Sequence, residues 1–399
     1  MRGTKERRPG LTAKYLTNPF AAYTVGFLIA LAVYSLGYSD LYPPLEPSLV
    51  CFLLTTCVAS GLLAGAVANI SMTSEYGHES LGASICIFLV IVGVFAAEVI
   101  VNGGIPLLQL AAGGDVNYQE FGIPTVHVAF IGFADFYAVY WFDLYVLGRG
   151  KSFLALSAAA CSTSLLIVSR GAFIITLLAF IFVYVQRRGL NRKLFLGFAV
   201  FVGAILWGFA LVGDLRTQGA TGESIILTIG AASDSFVNSN VPTEVFWPYL
   251  YVSSPLANLQ LNVTNRVATD TPATYFALEF LPDFVSKRIV SEATIAESTP
   301  LRIVNELTVS TMYGRAFFLW GWAGLLLSFA YFTTISLACL KMLQGSKYYV
   351  AACSILSSLA FLSIFDNMYV FAGGVTQVLV ALLLLVFERR DLRFLESHV

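Results

Sequence analysis

Charged residues are scarce in this chain. They make up 12% of its 399 residues, while 57% are hydrophobic, and the mean hydropathy is +0.77. A soluble domain carries about 25% charged residues, so the composition excludes an ordinary soluble protein and predicts one that crosses a membrane many times. The net charge of −1 indicates no partner by itself.

Several kinds of chemical site also lack their usual residues. The six cysteines all fall within apolar stretches, and none is spaced like a metal-ligand pair or a secreted disulfide framework. No acidic DxD pair, HExxH, GxSxG or phosphate-binding Gly-Lys motif occurs. We therefore expect no metal and no cofactor. The basic N-terminus lacks a cleavage site of small residues, which favours a retained first helix.

Ten apolar stretches are present, each near the length of about 20 residues that spans a bilayer. They predict helices near 19–37, 49–70, 81–101, 126–146, 152–168, 172–187, 194–213, 316–340, 348–365 and 368–388. With the N-terminus in the cytoplasm, the cytoplasmic segments hold 16 of the 23 cationic residues, as the positive-inside rule requires. An odd number of helices would break this pattern, so both termini are predicted to be cytoplasmic.

The chain is thus predicted to be an all-α membrane protein in three parts. Residues 1–213 form a bundle of seven helices, 214–315 a large external loop, and 316–399 a bundle of three helices with a cytoplasmic tail. The loop is too long for a connector and too apolar for a disordered linker. Its segments FWPYLYVSSPLANL and TYFALEFLPDFV predict short amphipathic helices on the bilayer surface or over a cavity.

Seven cationic residues lie on the external side, which normally avoids positive charge. Four of them are close to helix ends at the same surface, where they can act together on a phosphate group. Pairing with local carboxylates or with phospholipid headgroups is the alternative for each one. The seven are Arg170, Arg216, Arg266, Lys287, Arg288, Arg302 and Arg315, and the four are Arg170, Arg216, Arg302 and Arg315.

Candidates for proton transfer are less well defined. His127 opens the fourth helix on the external side, where it is either a base or a helix-end residue that meets interfacial water. Many external carboxylates could take a proton from a hydroxyl, and the sequence does not choose among them. Asp135, deep in the fourth helix, would suit a proton-coupled transporter. The aromatic residues of the large loop either stack on sugar rings or anchor the loop at the interface.

Several segments resemble O-antigen polymerases, the Wzy-type oligosaccharide repeat-unit polymerases. They cover about half of the chain, from residue 100 to 325, and their order matches that family. The segments are GGIPLL and FGIP before His127, SRG at 169–171, GDLR at 213–216, YLYVSSPLANL at 249–259 and LTVSTMYGRAFFLWGWAGL at 307–325.

The resemblance implies a bacterial inner-membrane enzyme with a glycosyltransferase-C-like helical fold and its active site facing the periplasm. Such an enzyme moves the growing glycan from one undecaprenyl pyrophosphate onto a new lipid-linked repeat unit, in surface polysaccharide synthesis. The donor and acceptor lipids and the bilayer are then the partners, with no nucleic acid, and a chain-length regulator protein is left open.

The resemblance also suggests roles for individual residues. The pyrophosphates would be bound by Arg170, Arg216, Arg302, Arg315 and Arg288, and the sugars by Tyr249, Tyr251 and Asn258. His127, Asp214 or Glu306 would orient or deprotonate the acceptor hydroxyl. Two alternatives stay open: an O-antigen ligase, which delivers the glycan to lipid A-core, and a membrane transporter.

Overall fold

A computed structural model of the chain describes residues 11–68, 79–113, 121–190, 225–265 and 268–396. This part of the chain is helical and contains no β-strand. The helices are α1 (Leu11–Leu16), α2 (Pro19–Tyr34), α3 (Pro47–Ala68), α4 (Leu81–Val101), α5 (Pro106–Ala111), α6 (Val126–Val146), α7 (Lys151–Leu166), α8 (Arg170–Arg188), α9 (Ile225–Ile229), α10 (Asp234–Val237), α11 (Phe246–Thr264), α12 (Pro272–Glu279), α13 (Asp283–Ile289), α14 (Glu292–Glu297), α15 (Thr311–Leu343), α16 (Tyr349–Leu362) and α17 (Ala372–Glu396).

Nine of the ten predicted apolar helices are confirmed as helices, namely α2, α3, α4, α6, α7, α8, α15, α16 and α17. The predicted helix 194–213 lies outside the described residues. Among the described residues, five helices are long and apolar enough to cross a bilayer: α3, α4, α8, α15 and the first part of α17. Helices α2, α7 and α16 are apolar but shorter. The chain is therefore helical with several membrane-spanning candidates, and ten crossings remain a prediction.

The described segments that connect the long helices meet at two opposite ends of the bundle. At the basic end, which comprises 79–80, 147–150, 189–190 and 344–348, Lys347 pairs with Glu79. Arg187, near the end of α8, pairs with Asp143 of α6 at 2.7 Å. The opposite end, called the loop end, comprises 35–46, 102–113, 121–125, 167–169, 225–265, 268–310 and 363–371. There the Ser233 hydroxyl donates to the Gly37 carbonyl at 2.9 Å. Segments predicted to share one side of the membrane therefore contact one another.

Helices α6 and α16 form the centre of the bundle. Helix α6 packs against α7, α8 and α17, while α16 packs against α2 and α8. Small residues permit close approach: a Cβ at Gly132 of α6 would lie 2.3 Å from Oγ1 of Thr376 on α17. Helix α4 lies at the periphery, and its buried residues are Ser84, Ile91 and Glu98. Its remaining apolar surface is of the kind that lipid covers.

The segment FWPYLYVSSPLANL, predicted to lie on the bilayer surface or over a cavity, is largely buried. It forms the first part of α11, which packs against α2 and α15, and Ser253 to Asn262 is almost entirely buried. The amide groups of Asn258 and Asn262 accept from the backbone N–H groups of Ile303 and Leu301, at 2.8 and 3.0 Å. Helix α11 therefore fixes the segment 301–309 that leads into α15.

Helix α15 begins earlier than predicted and is bent. It starts at Thr311 rather than near residue 316, so Arg315 lies inside the helix instead of in the loop before it. The backbone leaves helical geometry at Trp320 and at Gly321, which has φ 54° and ψ −142°. Only glycine readily adopts that conformation. The bend separates a short segment at the loop end, which carries Arg315, from the long segment that runs through the bundle.

Candidate functional site

A polar cavity of about 200 Å³ lies at the loop end. It is formed where α12, α13 and the first turns of α15 meet the segment between α16 and α17. Two cations and two carboxylates are among its lining residues, together with an amide and several apolar side chains. The lining residues are Leu278, Asp283, Ser286, Lys287, Ile295, Arg315, Asp366, Asn367, Met368, Val370 and Phe371.

Arg315 reaches the cavity from the second turn of α15. Its Nε lies 3.7 Å from Oε1 of Glu279, and the Arg315 side chain remains 34% exposed. The amide of Asn367 donates to Oε2 of Glu279 at 2.9 Å and to the Glu279 carbonyl at 3.1 Å. Glu279 therefore orients Arg315, and Asn367 orients Glu279. Part of the Arg315 guanidinium stays accessible to an anion.

The Glu279 carboxyl is unusual because it is only 2% exposed. Burial raises its pKa to about 7, against the opposing effects of Arg315 and Asn367. Desolvation disfavours a buried carboxylate, and the nearby cation and amide recover only part of that cost. Near neutral pH the Arg315 site therefore changes its charge with the protonation of Glu279.

Helix α13 contributes Asp283 and, one turn later, Lys287. The backbone N–H of Asp283 donates to the Val370 carbonyl at 2.8 Å, which joins α13 to the segment before α17. One carboxyl oxygen of Asp283, Oδ1, is shielded from solvent and has no hydrogen-bond partner among the described residues. Burial raises the pKa of Asp283, although the Lys287 charge and backbone N–H groups act against it.

Arg170 lies beside this cavity. It is the first residue of α8 and is exposed. A Cβ at the next residue, Gly171, would come within 2.9 Å of Cζ of Phe371, and Phe371 lines the cavity. The structure therefore brings Arg170 and Arg315 to the same region of the loop end.

His127 and Arg288 lie in a second group of polar residues at the loop end. Nδ1 of His127 is 2.9 Å from Oε2 of Glu98, a carboxylate with no exposed side-chain surface. Nη2 of Arg288 donates to the hydroxyl of Thr125 at 2.7 Å, and Thr125 has φ 72°, an uncommon value for a β-branched residue. A carboxylate at Nδ1 orients the imidazole and leaves Nε2 as the free ring nitrogen. His127 does not line the Arg315 cavity.

The three sugar-binding candidates have different surroundings, and the prediction that they bind sugars needs correction for Tyr249 and Asn258. Tyr249 is 4% exposed, and its hydroxyl accepts from the Tyr38 backbone N–H at 3.1 Å. Asn258 is fully buried, and its amide N–H donates to the carbonyls of Leu307 and Val309 at 2.7 and 2.8 Å. Both side chains are used to hold the fold together.

Tyr251 is different. It is 48% exposed and stacks on Trp247 at a centroid distance of 6.2 Å. Tyr251 is therefore the sugar-binding candidate whose side chain is accessible, unlike Tyr249 and Asn258.

The other predicted residues that the structure describes do not line this cavity. Arg302 and Glu306 are both exposed on the segment 301–309, and the structure describes no ion pair between them. Arg216, Asp214 and Arg266 lie outside the described residues. Of the predicted arginines, Arg315 lines the cavity, Arg170 lies beside it and Arg288 follows Lys287 on α13.

Sequence reasoning assigned no role to Asn367 or Glu98, and it left Glu279 and Asp283 unselected among the external carboxylates that could act as the base. Glu98 offered a usable signal, because a carboxylate inside an apolar stretch usually faces a partner. Glu279 and Asp283 flank an apolar segment in TYFALEFLPDFV, but nothing there indicates their contact with residues 366–371. Comparison of the chain with family models, with curated proteins and with solved structures finds no match.

Proposed function

We propose that this protein polymerises lipid-linked oligosaccharides at the loop end of the bundle. The growing glycan leaves one undecaprenyl pyrophosphate and is joined to a new lipid-linked repeat unit, in a glycosyltransferase-C-like helical fold. In this proposal the loop end faces the periplasm of a bacterial inner membrane, both termini are cytoplasmic, and no metal takes part.

The observation that carries the proposal is the cavity lined by Arg315 and Lys287. Arginine and lysine are the side chains that bind phosphate groups, and arginine keeps its charge at all accessible pH values. A pyrophosphate at the end of a lipid chain stays near the bilayer surface, and the cavity lies beside the loop-end termini of α15 and α17, two helices apolar enough to cross a bilayer. Arg170 adds a third cation beside Phe371.

The same arrangement supports glycosyl transfer rather than simple lipid binding. Cleavage of the sugar–pyrophosphate bond places negative charge on the leaving group, and fixed cations stabilise such charge without reorganisation. Glu279 and Asn367 hold Arg315 in position before the substrate arrives. Carboxylates in the same cavity offer proton acceptors for the sugar hydroxyl that attacks.

The experiment that tests this proposal is analysis of the surface polysaccharide in cells that lack the gene, with and without its restoration. A polymerase predicts that the ladder collapses to a single repeat unit attached to its final acceptor. Accumulation of long lipid-linked chains with no attached polysaccharide would indicate a ligase instead. An unchanged ladder would contradict both functions and favour a transporter.

A further inference from the structure

Two described carboxylates line the Arg315 cavity, and their surroundings differ. Asp366 is exposed, and its Oδ1 accepts from the backbone N–H of Asn367 at 2.7 Å. Asp283 keeps one oxygen shielded from solvent, and that oxygen has no hydrogen-bond partner in the part of the chain that the structure describes. An exposed carboxylate is stabilised in its charged form by water, whereas a partly desolvated one binds a proton more readily. The two are therefore not equivalent as proton acceptors.

Other candidates for the same task lie elsewhere. Glu279 is paired with Arg315 and Asn367 through its two oxygens and does not line the cavity. His127 is held by Glu98 in a separate group. Glu306 is exposed on the segment before α15, and it too is absent from the lining. Among the described residues, Asp283 combines access to the cavity with an incompletely solvated carboxylate.

Helix α13 also fixes the distance between the proton acceptor and a cation. Asp283 and Lys287 are four residues apart, so they lie on the same face of this helix. Both line the cavity, with Arg315 supplied by α15. A substrate whose pyrophosphate is bound by Lys287 and Arg315 therefore has its reacting end close to Asp283.

We propose that Asp283 is the catalytic base that deprotonates the acceptor sugar, an inference that rests on the proposed polymerase function. The acceptor hydroxyl loses its proton to the Asp283 carboxylate, and its oxygen forms a bond to the anomeric carbon of the donor. The bond between that carbon and the pyrophosphate oxygen breaks. Its electron pair leaves with undecaprenyl pyrophosphate, whose added charge Arg315 and Lys287 stabilise.

The test uses the full-length protein in lipid nanodiscs and lipid-linked repeat units extracted from cells that lack the gene. The rate of chain elongation is measured for the wild type, Asp283→Asn and Asp234→Asn. General-base catalysis contributes about 100-fold or more, so Asp283→Asn should lose at least that factor. Asp234→Asn is the matched control, because Asp234 is exposed at the start of α10 and does not line the cavity. Its rate should stay within a few-fold of the wild type. Substrate binding by Asp283→Asn should persist, because Arg315 and Lys287 are unchanged.

The dependence of the elongation rate on pH is a second measurement. A residue with only a structural role would not change this dependence. The charged groups facing Asp283 are Lys287 on its own helix, Arg315 on α15 and Asp366 before α17. Wild-type elongation should fall on the acid side as the base becomes protonated. Asp283→Glu keeps a carboxylate and should retain part of the activity with a shifted acid limb. That variant decides the question if Asp283→Asn does not fold.

Two results would overturn the assignment of Asp283: elongation by Asp283→Asn at close to the wild-type rate, or an acid limb unchanged in Asp283→Glu. If the wild type elongates chains but Asp283→Asn does so equally well, the base is wrong and the polymerase function stands. If the wild type itself does not elongate the extracted repeat units, the proposed function fails.

Discussion

Arg315 shows how a functional side chain depends on residues far away in the sequence. Its position is set by Glu279 at the end of α12 and, through that carboxylate, by Asn367 between α16 and α17. A cation held by a buried carboxylate keeps its direction, whereas an exposed arginine samples many rotamers. The ion pair therefore orients the guanidinium that the proposed reaction requires.

The Glu279 carboxyl should make stability depend on pH. Its folded-state pKa of about 7 exceeds the ordinary value of 4.5, so the folded protein binds this proton more tightly than the unfolded chain does. Stability should therefore fall as the pH rises from 4.5 to 7, by up to about 3 kcal/mol. Unfolding temperatures in detergent at pH 5 and pH 8 should differ less for Glu279→Gln than for the wild type.

Glu297→Gln is the control, because Glu297 is exposed on α14. It should leave the difference between the two pH values unchanged. A Glu279→Gln protein that loses as much stability as the wild type between pH 5 and pH 8 would contradict the assignment.

Only part of the site could be predicted from the sequence. The unusual placement of external cations selected Arg315 and Arg170 for a phosphate site. The carboxylates that complete the site could not be chosen, because Asp283 and Glu279 are two of ten aspartates and glutamates in the large loop alone. Tyr249 was assigned to sugar binding, although its ring is buried. The sequence could not show this, because an aromatic residue in a loop can be either buried or exposed.

At the scale of single elements, α11 is the part of the large loop that most affects the site. Its residues Asn258 and Asn262 bind the backbone of 301–309, which continues into the segment of α15 that carries Arg315. Backbone groups with no partner in a regular helix are stabilised here by side-chain amides. The position of Arg315 therefore depends on α11 as well as on Glu279.

Asn258→Ala should destabilise the protein. It removes hydrogen bonds to Ile303, Leu307 and Val309 and leaves partly buried backbone groups unpaired, at a cost of about 2–4 kcal/mol. Asn265→Ala on the same helix is the matched control, because its exposed amide donates to Leu261 of the preceding turn. Thermal unfolding in detergent measures both. Equal unfolding temperatures for the two variants would show that α11 does not fix this segment.

The elements differ in how well the sequence predicts them. Long apolar stretches define α3 and α4 clearly, because few other structures bury or cover so many consecutive apolar residues. Helix α11 was predicted as a short amphipathic helix on the bilayer surface or over a cavity. Its polar residues Asn258 and Gln260 are instead buried, and their partners lie some 40 to 210 residues away in the chain. Short-range patterns contain no information about such contacts.

At the scale of the whole molecule, the described connections form two ends of different character. The basic end holds exposed lysines such as Lys151 at the start of α7, whereas the loop end holds the cavity and the large loop. The positive-inside rule predicts that the basic end faces the cytoplasm. This prediction puts all of the proposed chemistry on the other side of the membrane.

This orientation predicts the labelling of introduced cysteines in spheroplasts by a membrane-impermeant maleimide. Glu306→Cys at the loop end should react in intact spheroplasts, and Lys151→Cys at the basic end should react only after permeabilisation. The unsubstituted protein controls for its six native cysteines. The reverse pattern, or labelling of both before permeabilisation, would contradict the orientation.

The central claim is that the Arg315 cavity is where glycan is transferred, and one measurement tests it directly. Cells lacking the gene receive the wild type, Arg315→Ala or Lys341→Ala at matched protein levels, and the length of their surface polysaccharide is compared. Lys341 lies on the same helix at the basic end and is exposed. Loss of a cation that stabilises the leaving group should slow transfer by about 100-fold or more. Arg315→Ala should therefore give mostly single repeat units while Lys341→Ala gives the full ladder; a full ladder from Arg315→Ala would contradict the account.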